Sequence, residues 1–162
     1  TEYGKAILRP QSDGTVTLMH SFTEMGQGIH TVLRQMACQE LGLDPDRIRV
    51  VVDTERELGV GQTTGSRGTV LGGNAVLAAA LKLNAARELE GARIEDLAGR
   101  DFYGEFKVDW TTAADVPNPV THFAYAWATQ VVILDDAGRL LRVVAAHDVG
   151  KAINPTQTPI EM

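Results

Sequence analysis

Two glycine-bearing turns hold the residues best suited to chemistry, Glu24-Met25-Gly26-Gln27-Gly28 and Gly61-Gln62-Thr63-Thr64-Gly65-Ser66-Arg67-Gly68-Thr69, and each runs into apolar residues at helical spacing. The start of a helix offers unpaired backbone N–H groups at the positive end of its macrodipole, and glycine lets a ligand approach that backbone closely. Two such turns in 162 residues suggest a clamp for a large, polar, phosphate-bearing cofactor. In the first, the Gln27 carboxamide offers both a donor and an acceptor to a heterocyclic or oxo-bearing ligand while neighbouring amides hold an anion. In the second, hydroxyls surround Arg67, whose guanidinium can fork two oxyanion atoms. Each turn also has a plain reading: glycine supplying positive φ in the first, and Ser66 or Thr69 capping a helix beside a solvated Arg67 in the second. Neither turn carries the lysine of a P-loop or the complete dinucleotide fingerprint.

The other reactive side chains form no constellation. His20, His30, His122 and His147 are dispersed and lack zinc-ligand spacing, so no metal is expected on side chains. Structural roles are expected for most of them, with His30 nearest the first turn. Cys38, amid Met36, Ala37 and Leu41, reads as a small core residue. Glu24, Asp53 and Asp148 are possible bases, but nothing pairs them by spacing, and capping or solvated carboxylates are the expectation. There is no serine triad or nucleophile elbow. The sequence therefore offers a binding apparatus without an evident catalytic group.

The elements that must position these turns follow from periodicity. Residues 4–9 and 14–22 read as two strands around the turn 11–14, delivering the first glycine turn. Ile29, Val32, Leu33, Met36, Ala37 and Leu41 fall at helical spacing, and Gly42 is placed for a left-handed C-cap. A β-branched strand over 48–52 leads toward the second turn, and residues 69–89, rich in alanine, read as a long and largely buried helix. Residues 91–100 hold a short helical piece at best and 102–110 a strand. A polar loop at 111–118 precedes strands over 123–134 and 139–147, bracketing Asp135-Asp136-Ala137-Gly138. The order ββα, βα, then antiparallel strands implies an α+β fold with a mixed or antiparallel sheet and two main helices, in a single domain over 1–162.

Composition narrows the partners. Hydrophobic residues make up 44% and charged residues 22%, which is globular rather than disordered, and a net charge of −6 with scattered Lys and Arg gives no footprint for nucleic acid. No apolar run approaches the roughly 20 residues of a bilayer span, so no membrane is expected. The lone Cys38 rules out an intrachain disulfide and fits a reducing, cytoplasmic location. The chain opens on Thr1 and closes on Met162 without a helix stop or tail, so it is expected to be cut from a longer polypeptide.

The string from Thr23 to Thr31, with Gln35, Ala37, Leu41-Gly42 and Asp53-Thr54, resembles the large molybdenum subunit of the xanthine dehydrogenase and aldehyde oxidase family. The likeness continues through Thr63 to Thr69, Gly73-Asn74-Ala75-Val76, His147-Asp148-Val149-Gly150 and Ile153-Asn154-Pro155, over nearly the whole chain in order. The resemblance implies a molybdopterin hydroxylase that places oxygen from water on an N-heterocycle or aldehyde, with electrons leaving through iron–sulfur clusters and FAD in partner domains or subunits. It also implies that Gly26, Gln27 and Gly28 contact the pterin near the metal, and that Gly65, Ser66, Arg67 and Gly68 face the phosphate or cytosine dinucleotide end. Molybdenum would be held by the pterin, not by side chains. Some family members carry serine where Gly68 stands, which leaves a backbone N–H as the contact here. The glutamate base and a further glutamine- and glycine-bearing segment of the family lie downstream of this chain, so the fragment is expected to be inactive alone, with no catalytic residue of its own. Truncation would also expose faces able to form a homodimer. Two competing readings remain open at this stage: a non-catalytic assembly module, and a small-molecule kinase using Gly65-Ser66 for phosphate.

Overall fold

In a computed structural model the described residues are 2–56, 58, 63–109, 111–120 and 126–154. The chain divides into two compact units, Thr1–Phe123 and Ala124–Met162.

The first unit contains β1 (Glu2–Pro10), β2 (Val16–His20), α1 (Ile29–Leu41), β3 (Ile48–Val52), α2 (Gly73–Glu90) and β4 (Phe102–Val108). Its sheet has the order β3-β2-β1-β4. The β1–β2 and β1–β4 pairs are antiparallel, whereas β2 and β3 run parallel because α1 carries the chain across between them. This is the α+β architecture with a mixed sheet and two main helices.

Local chemistry accounts for the elements. Asp13 accepts the Thr15 amide at 2.9 Å and Gly14 takes φ 78°, which closes the β1–β2 turn. Helix α1 starts after Gly28 and ends at Gly42, both left-handed, and the Gly42 N–H donates to the Cys38 carbonyl. Ile29, Leu33, Ala37, Cys38 and Leu41 form its buried stripe and meet Ala6, Leu8, Val16 and Leu18 from the sheet. The opposite sheet face carries a smaller cluster of Ile7, Met19 and Leu58, packed by Val51.

Helix α2 lies on the sheet almost backbone to backbone. A Cβ at Gly104 would collide with the Ala75 carbonyl and the Ala79 amide, and one at Gly4 with the Leu71 carbonyl. The alanines at 75, 79 and 80 keep that approach close. A π-helical turn, Gly68–Gly72, precedes α2, and neither Ser66 nor Thr69 provides a side-chain cap. The capping expectation is thereby corrected: with the π turn leading directly into α2, the residue before α2 is helical Gly72. The segment Gly68–Glu90 is also long and apolar enough, by length and composition, to cross a membrane, which corrects the expectation that no such run exists. In this fold its Ala75, Val76, Ala79, Ala80 and Leu83 are core residues. Strand β4 stops at Val108, and Trp110 lies outside the described residues.

The second unit is a two-stranded antiparallel ribbon of β5 (Trp127–Leu134) and β6 (Leu140–Asp148), closed by a turn in which Asp135 accepts the Ala137 and Arg139 amides. Val131, Val132, Ile133, Leu134, Leu140, Leu141 and Val143 are all exposed. Adjacent positions along a strand point to opposite faces, so both faces of the ribbon are apolar.

Candidate cofactor-binding turns

The strand β2 ends at His20 and hands the chain to residues 21–28, whose tip is exposed from Thr23 to Gln27. Gly26 and Gly28 both sit at positive φ, 96° and 77°. Their amides turn inward onto Glu24. Its Oε1 accepts Gly26 N at 2.9 Å and Gly28 N at 3.0 Å, and its Oε2 accepts His30 N at 3.2 Å. Desolvation works to raise the Glu24 carboxyl, but the amides of Gly28, His30 and Gly26 outweigh it and hold the group below the ordinary glutamate range. The expectation that these amides are free to hold an anion is corrected: the chain's own carboxylate already takes them. Glu24 thus caps the turn and is not a free base.

Gln27 closes the same turn from outside. Its Oε1 accepts the Met25 amide at 2.6 Å and its Nε2 donates to the Thr23 carbonyl at 2.8 Å. A carboxamide has two N–H groups and two acceptor lone pairs, so one of each remains for a ligand.

The second turn carries consecutive left-handed residues, Gly65 at φ 58° and Ser66 at φ 61°. Positive φ at serine is costly and clusters at sites where the backbone is shaped for a ligand. Among the described residues no acceptor meets the Gly65 or Ser66 amides. Arg67 departs from expectation: it forks Glu2, with Nε at 2.7 Å and Nη2 at 2.5 Å from the two carboxylate oxygens, and Nη1 donates to the Thr64 carbonyl at 3.0 Å. It is neither solvated nor free for phosphate, because β1 brings Glu2 to it across 65 positions of sequence. Gly68 is half-buried against Ile29; a Cβ there would stand 3.0 Å from the Ile29 Cδ1. Gly61 and Gln62 lie outside the described residues.

The two turns adjoin. The Thr23 amide donates to Thr63 Oγ1 at 3.1 Å, and Gly72 of the π turn packs on Phe22 and Leu33. The beginnings of the two long helical segments therefore share one side of the first unit.

Beneath the first turn lies a polar pair that sequence reasoning missed in part. His20 is wholly buried, its ring 5.1 Å from that of His30, and its Nδ1 accepts the Phe22 amide at 3.1 Å. Neither histidine's buried Nε2 has a hydrogen-bond partner. Desolvation first, then the charge of His30, pushes the His20 imidazole down to about 4, against a smaller opposing pull from Glu24. The signal in the sequence was the alternation of β2, which puts His20 on the same face as Leu18 and Val16.

The remaining candidates are structural. Asp53 is buried and accepts the Glu55 and Arg56 amides at 3.0 and 2.9 Å while pairing with the Arg56 guanidinium. The Arg56 amide is the main reason its carboxyl lies below the usual range. In the second unit Asp148 accepts the Gly150 amide at 3.0 Å. Cys38 is buried in the core, and burial raises its thiol. His122 lies outside the described residues, and His147 is exposed on β6. Among the described residues no group of three or more His, Cys, Asp or Glu is arranged to hold a metal ion.

Known proteins share both sequence and fold. A family model described as the molybdopterin cofactor-binding domain matches residues 1–98. The xanthine dehydrogenase/oxidase of Mus musculus is 27% identical over 94% of this chain, and the gamma subunit of the 6-hydroxypseudooxynicotine dehydrogenase complex of Paenarthrobacter nicotinovorans is 32% identical over 90%. The chain spans only 13% and 23% of those two proteins. The reconstituted CO dehydrogenase of Oligotropha carboxidovorans shares the fold, with a TM-score of 0.71 and 23% identity over 94% of this chain and 23% of that one. With the family match covering most of the first unit, both turns included, this chain belongs to the molybdopterin cofactor-binding domain family.

Proposed function

We propose that this chain supplies part of the cofactor site of a larger molybdenum-dependent hydroxylase, one that oxidises an N-heterocycle or aldehyde with water as the oxygen source. The observation that carries the reading is the Thr23–Thr63 hydrogen bond, which joins the two turns into one exposed surface. That surface fits a pterin with a phosphate tail. Gln27 keeps one donor and one acceptor, and Gly65 and Ser66 hold left-handed backbone beside the Thr64 carbonyl that anchors Arg67.

In this reading Gly26, Gln27 and Gly28 stand at the pterin near the metal, and Gly65, Ser66, Arg67 and Gly68 at the phosphate end, plain or extended by cytosine. The cofactor, when bound, supplies the redox-active molybdenum through its dithiolene. This chain's residues bind and orient: Glu24 fixes the first turn, Gln27 hydrogen-bonds the ligand's edge, and the Glu2–Arg67 fork ties β1 to the second turn. Proton transfer and the choice of substrate fall to other polypeptide, as do the iron–sulfur clusters and FAD, so the chain alone is inactive. The intact enzyme works in the cytoplasm.

Purifying the intact protein that carries this chain and assaying released pterin and molybdenum tests the reading. Stoichiometric pterin is expected, with Gln27→Ala lowering occupancy. A preparation active without pterin, or unchanged molybdenum content and turnover in Gln27→Ala, contradicts it.

A further inference from the structure

We infer that Glu24 is a specificity-determining residue that closes the first turn to oxyanions and reserves it for a neutral hydrogen-bonding edge met by Gln27. The inference deepens the cofactor reading above and rests on it. The geometry shows an anion site already filled from within. Alternate amides of the turn, those of Gly26, Gly28 and His30, converge on the two oxygens of one carboxylate at 2.9 to 3.2 Å. Positive φ at Gly26 and Gly28 is what aims the first two inward. A phosphate offered to this helix start would have to displace a tethered carboxylate, and would meet its charge if it did not.

Between the two glycines, Gln27 is exposed. The Gln27 carboxamide lies across the turn on the Thr23 carbonyl and the Met25 amide, which fixes its plane and leaves one N–H and one lone pair. Such a donor–acceptor pair complements a lactam-like edge and has no preference for negative charge. Among the described residues, no carboxylate takes the Gly65 or Ser66 amides of the second turn. Glu2 meets the Arg67 side chain beside it. The two turns are thus built for opposite ends of a ligand, and Glu24 makes the difference at the first.

The test uses the full 162-residue chain and inorganic phosphate as the probe. Amide chemical shifts of Gly26, Gly28 and His30 are followed during titration to concentrations on the order of 50 mM. In the wild type these three amides stay unmoved. In Glu24→Gln, which keeps an acceptor oxygen and removes the charge, they move saturably, with phosphate bound about tenfold or more tightly than by the wild type. Equal phosphate binding by wild type and variant at these amides overturns the inference. Should Glu24→Gln fail to fold, hydrogen exchange of the wild type decides: the Gly26, Gly28 and His30 amides are expected to exchange about tenfold or more slowly than the Gln27 amide, and equal rates overturn the inference. Neither readout involves molybdopterin, so a failure here is distinct from an intact protein found without pterin.

Discussion

His20 shows how a single residue sets conditions on the site. It is wholly buried, keeps its Nδ1 as an acceptor for Phe22, and stays neutral down to about pH 4. In the unfolded chain it takes a proton near pH 6.5. Its folded value is the lower of the two, so its contribution to stability is full above pH 6.5 and is lost as the pH falls from 6.5 toward 4. The loss amounts to about 3 kcal/mol. Urea denaturation at pH 7 and pH 4.5 should show it, and His20→Leu should flatten the difference. A His20→Leu protein as acid-sensitive as the wild type would assign the effect elsewhere. At this scale the sequence disclosed types but not pairings. Glu24 was expected to be a capping or solvated carboxylate, but that it would take the Gly26, Gly28 and His30 amides, expected to be open to an anion, was not read from their closeness in sequence. Arg67 and Glu2 are far apart in sequence and meet only because β1 passes the second turn, which no local rule encodes.

At the scale of elements, signals that live in a few adjacent residues were legible. The Gly42 stop of α1 and the Asp135 to Gly138 turn follow from backbone chemistry within one turn of chain, and both appear as expected. The parallel pairing of β2 with β3, and the order β3-β2-β1-β4, depend on how α1 packs and cannot be read from alternation. The helix expected over 69–89 runs from Gly68 to Glu90, but its first turn is π-helical, which periodicity does not show, with Gly68, Gly72 and Gly73 packed on Ile29, Phe22 and Met36 from α1 and its approach. Glycine in β4 has an equally non-local reason. Gly104→Ala places a methyl group against backbone atoms of Ala75 and Ala79, which cannot rotate away. It should destabilise the first unit by about 1–3 kcal/mol, measured by thermal or urea unfolding, and a change within about 0.5 kcal/mol would mean α2 can lift freely from the sheet.

At the scale of the whole molecule, the two units differ in what they bury. The first has a continuous core between its sheet and its two helices. The second exposes apolar side chains on both faces of a two-stranded ribbon, and such a ribbon is marginal in water without a partner. Two outcomes follow for the purified chain. Amides of β5 and β6 should exchange with solvent orders of magnitude faster than those of β1 and β2. Light scattering should show concentration-dependent self-association, a homodimer being the smallest product, because large exposed apolar surfaces seek cover. A monomer at every concentration, with the ribbon as protected as the core, would contradict this. The chain spans a small fraction of the proteins it resembles.

The central claim is that two adjoining turns hold one molybdopterin. A crystal structure of the intact protein with its native cofactor tests it most directly. The account predicts the pterin edge within hydrogen-bonding distance of the Gln27 carboxamide, with Glu24 still on the Gly26, Gly28 and His30 amides, and a cofactor phosphate at the Gly65 to Gly68 backbone. A cofactor bound without touching either turn, or a phosphate seated on the Gly26 and Gly28 amides with Glu24 expelled, would contradict it.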